Sequence, residues 1–174
     1  MSDAPETDPS CAVAHGEARP ETGDRTLVAV FASPVAGFLL RYGADLGYRG
    51  ILVEPDDERA AAADLGAGVV TEMPPGLPAG ADVVVTDHHR GELGLVLRDA
   101  LAADARWVGV MGNPRHAGPH VEALRALGVD EADIARVHRP IGLNIGSRTP
   151  AEIAVATLAG LLADRNGRSG GFHF

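Results

Sequence analysis

The sequence predicts an α/β fold in which a parallel β-sheet is covered by helices on both faces. Short apolar segments alternate with segments of helical periodicity from Thr26 to Ala163, which is typical of β–α–β units with right-handed crossovers. Val83, Val84 and Val85 form a continuous apolar run, as expected for a strand that is buried on both faces of a parallel sheet. A chain of 174 residues is long enough for one full hydrophobic core. We therefore expect a single, doubly wound, Rossmann-like domain over residues 25–166.

The predicted elements follow one another in the order that such a fold requires. Strands are predicted where apolar residues run together between turn residues, at Thr26–Phe31, Gly50–Glu54, Gly68–Thr71, Ala81–Thr86 and Trp107–Met111. Helices are predicted where apolar or alanine residues recur at helical spacing, at Pro34–Leu46, Asp57–Leu65, Glu92–Ala103, Pro119–Leu127 and Pro150–Ala163, with a short turn at Glu131–Ala135. Polar residues 1–24 and glycine-rich residues 167–174 are expected to be a flexible leader and a flexible tail.

Composition excludes several classes of function. The net charge of −9 argues against nucleic acid and anionic membranes as partners. Every basic residue is an arginine, so Schiff-base chemistry and a P-loop lysine are excluded. The single cysteine, Cys11, allows no internal disulfide, and we interpret it as incidental. Neither a signal peptide nor a membrane span is recognisable, so the expected location is the cytoplasm.

The turn after the first strand lies where dinucleotide-binding domains carry the glycine pattern G-x-G-x-x-G. Ala32, Pro34 and Gly37 occupy those three positions, so only the third glycine is kept. A proline at the second position removes an N–H group and adds bulk where a phosphate would lie. Glu54, at the end of the second strand, is placed to accept a hydrogen bond from a ribose hydroxyl, although a solvated carboxylate is the alternative. The pattern of a nucleotide domain is present, but its phosphate-binding turn is altered.

The segment from Ile141 to Val155 predicts a glycine-containing turn that leads into the last helix. Thr149 is a suitable N-cap, Pro150 suits the first helical position, and Glu152 completes a capping-box pattern. Unpaired N–H groups at a helix start, with Ser147 and Arg148 beside them, predict a site for an anion. An ordinary loop-to-helix connection is the alternative.

Two further polar clusters follow predicted strands. Asp87, His88, His89 and Arg90 follow the strand at Ala81–Thr86, and Gly112, Asn113, Pro114 and Arg115 follow the strand at Trp107–Met111. Arg115 could reach a ligand phosphate. Asp87, His88 and His89, like His116 and His120, could in principle serve a metal, but capping and surface polarity are the favoured interpretation. No nucleophile elbow or Ser-His-Asp set is recognisable, so we predict no catalytic residues and no metal.

The segment from Arg106 to Ala163 resembles the C-terminal Rossmann-like domain of the XdhC/CoxI family, the xanthine dehydrogenase accessory proteins. The similarity is densest in WVGVMGN, ALRALGVDE and IGLNIGSRTPAEIAV. It extends more loosely through VVVTDHH and the altered glycine turn to about Thr26. The resemblance therefore covers most of the predicted domain.

The resemblance implies an accessory role in the maturation of molybdenum hydroxylases such as xanthine or carbon monoxide dehydrogenase. Its implied cofactor is of the molybdopterin type, which such proteins bind, protect or help to insert. Carried over by position, the implied cofactor-binding residues are Ala32, Ser33, Pro34, Val35, Glu54, Asp87, His88, Gly112, Asn113, Ser147 and Arg148. Fuller members have a cysteine-bearing N-terminal domain and a glycine-rich turn, which differ from this sequence. We therefore expect a stand-alone Rossmann half that works beside a separately encoded hydroxylase or maturation protein.

Three functions remain open at this point. The first is a non-catalytic accessory protein that binds an anionic cofactor or nucleotide for a molybdenum hydroxylase. The second is an NAD(P)- or flavin-dependent oxidoreductase, which the β–α–β layout and Glu54 favour but Pro34 disfavours. The third is an interaction module that keeps the Rossmann architecture without binding a nucleotide. A homodimer is compatible with each of them.

Overall fold

A six-stranded parallel sheet forms the centre of the protein, with the strand order β3-β2-β1-β4-β5-β6. The computed structural model describes residues 9–18, 25–64, 67–113, 115 and 118–171. The strands are β1 (Arg25–Val30), β2 (Tyr48–Val53), β3 (Gly68–Val70), β4 (Asp82–Val85), β5 (Trp107–Val110) and β6 (Val137–His138). The helices are α1 (Pro9–Ala14), α2 (Pro34–Asp45), α3 (Asp57–Ala62), α4 (Leu93–Ala102), α5 (Pro119–Ala126), α6 (Glu131–Ile134) and α7 (Pro150–Arg165).

Side-chain alternation along the strands divides the core between the two faces of the sheet. Val28 and Val83 point to the face that α4, α5 and α6 cover, where they pack with Leu97 and other fully buried side chains. Their neighbours Leu27 and Val84 point to the opposite face, which α2 and α7 cover. Helices on both faces of one parallel sheet define the doubly wound architecture, so the predicted fold class is confirmed.

The structure differs from the sequence prediction at a few elements. It adds β6, which is only two residues long, and the six-residue helix α1 inside the segment that was predicted to be a leader. Helix α3 ends at Ala62, and α7 continues to Arg165, two residues beyond its predicted end. Among the described residues, the helices are too short or too polar for any of them to span a bilayer.

A buried ionic network fixes the amino edge of the sheet. Asp82, at the start of β4, is fully buried, and its carboxylate accepts hydrogen bonds from Arg106 and Arg165, each at 2.8 Å. Arg165 also donates to the carbonyl oxygen of Gly80. Burial raises the pKa of Asp82, and the two arginines oppose that rise. The network joins the end of α7 to the sheet at the edge opposite the polar clusters.

Candidate functional site

The carboxyl edge of the sheet carries a cleft of about 1150 Å³ beyond the ends of β4, β5 and β6. The loop from Arg139 to Thr149, which connects β6 to α7, forms one wall of it, because parallel strands direct the loops that follow them to the same edge. The lining residues are Thr86, Asp87, His88, His89, Met111, Gly112, Asn113, Arg115, Pro140, Ile141, Gly142, Leu143, Asn144, Ile145, Gly146, Ser147, Arg148, Ile153 and Ala156.

The cleft brings together the predicted site residues from the second half of the chain. These six residues are Asp87, His88, Gly112, Asn113, Ser147 and Arg148. The predicted residues from the first half, Ala32, Ser33, Pro34, Val35 and Glu54, are absent from this lining. Ala32 and Ser33 instead border a separate, shallow depression of about 550 Å³ together with Arg59 on α3. The structure therefore brings together only the predicted residues from the second half of the chain.

Glu54 has a different role from the two that its sequence position suggested. It is neither a free ribose acceptor nor a solvated carboxylate, because its side chain is 0% exposed. Its two oxygens accept four hydrogen bonds: two from the Arg90 guanidinium at 2.9 and 3.2 Å, and one each from the N–H groups of Ala32 and Asp56 at 2.8 and 3.1 Å. Burial acts to raise the pKa of Glu54, and these donors more than offset it, so its pKa lies below the usual value.

The turn between β1 and α2 is closed by the same group of side chains. Phe31 adopts a positive φ of 71°, a conformation that favours glycine, and the guanidinium of Arg90 lies 4.6 Å from the centre of its ring. Ser33 caps α2 by accepting the Ala36 N–H at 3.0 Å, and its hydroxyl lies 2.9 Å from that of Thr86.

These residues do not fit a dinucleotide in the half of the fold that holds one in Rossmann proteins. The N–H groups of Ala32 and Ala36 already have protein acceptors, and Pro34 has no N–H group to offer a phosphate. The four hydrogen bonds that Glu54 accepts leave no lone pair directed at a ribose hydroxyl. This turn therefore lacks the free amides and the free carboxylate with which Rossmann proteins hold a dinucleotide.

The start of α7 has the predicted capping box but not the predicted set of free amides. Thr149 accepts the N–H of Glu152 at 3.2 Å, and Glu152 Oε2 accepts the N–H groups of Arg148 and Thr149 at 2.6 and 3.3 Å. The carboxylate of Glu152 therefore occupies the amides that the sequence analysis assigned to an anion. The side chain of Arg148 is exposed and lines the cleft.

His88 is a partly buried titratable side chain of the cleft. Burial lowers the pKa of its ring, and the nearby His89 and Arg139 lower it further. Asp87 and a backbone hydrogen bond at Met111 act in the opposite direction. The rings of His88 and His89 lie with their centres 4.0 Å apart. Together these groups hold the pKa of His88 below its usual value, which favours the neutral imidazole.

Arg139 is a residue of this region that the sequence analysis missed. Its guanidinium packs against Gly112, where a side chain would collide with it, and its Nη2 donates to the carbonyl oxygen of Asn113 at 3.0 Å. The arginine thus connects the loop after β5 to the loop after β6. Its position directly after β6 could have indicated this role, but the sequence analysis did not predict a strand there.

Close backbone packing holds the same loop again at Gly142, three residues after Arg139. Gly142 has a φ of +81°, and a Cβ atom there would lie 2.9 Å from the backbone of α7 at Ala156 and Thr157. The N–H of Leu143 donates to the carbonyl oxygen of Ala156 at 3.0 Å. The loop wall is thereby held directly on the helix that Arg148 precedes.

Among the described residues, no three His, Cys, Asp or Glu side chains are grouped as metal ligands. His116 lies outside them. His120 is 7% exposed and lies against Gly118, and its Nδ1 has no hydrogen-bond partner in the described part of the chain. Burial, followed by the charge of Arg139, lowers the pKa of His120.

Known proteins are similar to this chain in sequence or in fold, over different parts of its length. The family model for the XdhC Rossmann domain matches residues 27–161. The uncharacterized protein YqeB of Escherichia coli (strain K12) is 43% identical over 65 residues, which are 37% of this chain and 12% of YqeB. The crystal structure of a xanthine dehydrogenase from Bacillus halodurans matches with a TM-score of 0.60 at 19% identity, over 83% of this chain and 45% of that one.

The chain therefore spans less than half the length of either of these two proteins. At 19% identity, the likeness to the Bacillus halodurans structure shows a shared fold. The match to the family model covers most of the chain, from the start of β1 to the last turns of α7. The protein thus belongs to the family of XdhC Rossmann domains.

Proposed function

We propose that this protein is an accessory domain for the maturation of a molybdenum hydroxylase of the xanthine or carbon monoxide dehydrogenase type, acting in the cytoplasm. It binds an anionic cofactor, of the molybdopterin type or a nucleotide, in the carboxyl-edge cleft and performs no chemistry of its own on it. Membership in the XdhC family supports the connection to xanthine dehydrogenase. The B. halodurans protein of similar fold bears the name xanthine dehydrogenase, which supports the same connection.

The single observation on which this proposal depends is the chemistry of the cleft. Arg115, Arg148 and Asn113 provide donors for an anionic group, and Met111 and Ile141 provide apolar surface for a flat ring. The donor set therefore fits a pterin-type cofactor, which would supply the redox chemistry only after transfer to a hydroxylase. An oxidoreductase using NAD(P) or a flavin dinucleotide is disfavoured, because Glu54 and Ala32 are bonded to the protein itself.

Reconstitution of a cofactor-free hydroxylase tests this function. The cofactor, supplied anaerobically in limiting amount, should load the apoenzyme faster and to a higher final activity when this protein is present. Arg148→Ala should weaken cofactor binding by about 1.5–3 kcal/mol, the usual value of a charge-assisted hydrogen bond, and should remove most of the acceleration. Arg49→Ala is the matched control, since Arg49 is exposed near the start of β2 and does not line the cleft.

Two results would contradict the proposal. Equal loading with and without the protein would rule out the maturation role. Unchanged acceleration by Arg148→Ala, with no detectable cofactor binding by either protein, would instead identify an interaction module that acts through its partner alone.

A further inference from the structure

The cleft concentrates positive charge on a protein that is acidic as a whole. The chain has a formal net charge of −9, yet the charged residues of the cleft lining are two arginines and a single carboxylate, Asp87. One oxygen of that carboxylate accepts the backbone N–H of His89 at 2.9 Å. Among the described residues, neither Arg115 nor Arg148 has a side-chain ion pair. A concave, cationic surface of this kind attracts anions from the surrounding solution.

His88 is a partly buried group of the cleft whose charge can change as an anion arrives. Charged or polar groups face it from three loops: Asp87 and His89 in its own loop, the backbone of Met111 after β5, and Arg139 after β6. The net effect of burial and of these groups favours the neutral ring in the ligand-free protein. An anion placed next to the ring would reverse that preference, because it stabilises the imidazolium form.

On the basis of the proposed function, we infer that the cleft selects ligands that end in a phosphomonoester, and that His88 takes up a proton when that group binds. A phosphomonoester carries a charge of about −1.5 to −2 at pH 7. A pyrophosphate diester has a similar total charge but divides it between two phosphates, whereas the monoester places it on one terminal group. Two arginines and an inducible imidazolium therefore match the monoester better, while Met111, Ile141 and Ile153 contact the flat part of the ligand.

Three flavins that share one ring system separate the contributions of ring and phosphate. Riboflavin has no phosphate, FMN has a phosphomonoester, and FAD has a pyrophosphate diester. We expect isothermal titration calorimetry at pH 7.5 to show that FMN binds at least about tenfold more tightly than either of the others. Repeating the FMN titration in buffers of different ionisation enthalpy should show a net uptake of protons by the protein.

Substitutions identify the residue that takes up the proton when FMN binds. His88→Asn should abolish the proton uptake, and Arg148→Ala should reduce the affinity for FMN towards that for riboflavin. His138→Asn is the matched control, because that ring stacks on Trp107 with centres 4.9 Å apart and does not line the cleft. Circular dichroism confirms that each variant is folded.

Several outcomes would overturn the inference. They are FAD or riboflavin binding as tightly as FMN, FMN binding without proton uptake, uptake that persists in His88→Asn, and uptake that disappears in His89→Asn but not in His88→Asn. Failure of the parent function gives a different pattern. A protein that binds FMN with proton uptake but does not accelerate the loading of a hydroxylase would keep this inference and reject the maturation role.

Discussion

Arg90 is the residue on which the closed turn between β1 and α2 depends. Its side chain is 11% exposed, it donates twice to the fully buried Glu54, and it covers the ring of Phe31. Removing the arginine would leave the buried carboxylate without its positively charged partner, with only the N–H groups of Ala32 and Asp56 as donors. We therefore predict that Arg90→Ala lowers the free energy of unfolding by about 3–5 kcal/mol, as measured by urea denaturation.

Arg98 provides a matched control for that prediction. It forms an ion pair with Asp99 in which both side chains are more than 40% exposed. Arg98→Ala should change the free energy of unfolding by no more than about 1 kcal/mol. Similar losses in the two variants would mean that Glu54 does not rely on Arg90 for its charge.

Substitutions of two glycines test whether the loop before α7 depends on its backbone contact with that helix. Gly142 and Gly146 both have positive φ values, of 81° and 70°. A Cβ atom would meet the backbone of α7 at Gly142, whereas there is open space at Gly146. Gly146→Ala should destabilise the protein by about 1–2 kcal/mol through backbone strain alone.

Gly142→Ala should destabilise it by about 2–5 kcal/mol, because steric overlap adds to the same strain. The overlap should also displace the loop wall and weaken ligand binding, which Gly146→Ala should leave largely intact. Thermal or urea unfolding and ligand titration of the two variants check both parts. Equal effects would show that the contact between the loop and α7 is not important.

The individual elements differed in how well the sequence could predict them. Two elements were predictable from neighbouring residues alone: the buried strand at Val83–Val85 and the helix start at Thr149-Pro150-Glu152. Both predictions are confirmed. Strand β6 consists of only Val137 and His138, which is too short for any periodicity. It forms because the edge of β5 is available for pairing. That edge is known only once the sheet has been assembled, so the residues of β6 alone could not predict the strand.

The site was harder to predict than the fold for a similar reason. Each polar cluster after a strand was recognisable, and the topology of a parallel sheet placed those after β4, β5 and β6 in one cleft. The pairing of Glu54 with Arg90 joins residues 36 positions apart, and no local pattern indicates it. Without that partner, the position of Glu54 resembles that of a ribose acceptor, so the expectation for it was wrong.

At the scale of the whole molecule, two histidines link folding to pH. Burial lowers the pKa of both His88 and His120 below the usual value of 6.5. Below about pH 6.5 the unfolded chain therefore binds protons that the folded protein does not, so acidification favours unfolding. The stabilising effect of the neutral rings is complete above that pH and is lost as the pH falls through their folded-state pKa values.

His120→Asn should reduce this dependence, because the variant has one fewer buried imidazole. Urea denaturation of the natural protein and the variant at pH 7.5 and 5.5 measures the change. We expect the free energy of unfolding of the natural protein to fall more on acidification than that of His120→Asn. Identical changes in the two proteins would show that His120 is as easily protonated in the fold as in the unfolded chain.

Helix α7 connects the two opposite edges of the sheet. It has 16 residues, so it is about 24 Å long; Arg148 and the capping box lie at its start, and Arg165 is bonded to Asp82 at its end. Because both ends of the helix are held by these contacts, they cannot rotate independently. Ligand binding in the cleft should therefore slow amide hydrogen exchange at the opposite edge of the sheet, near Arg165 and Asp82.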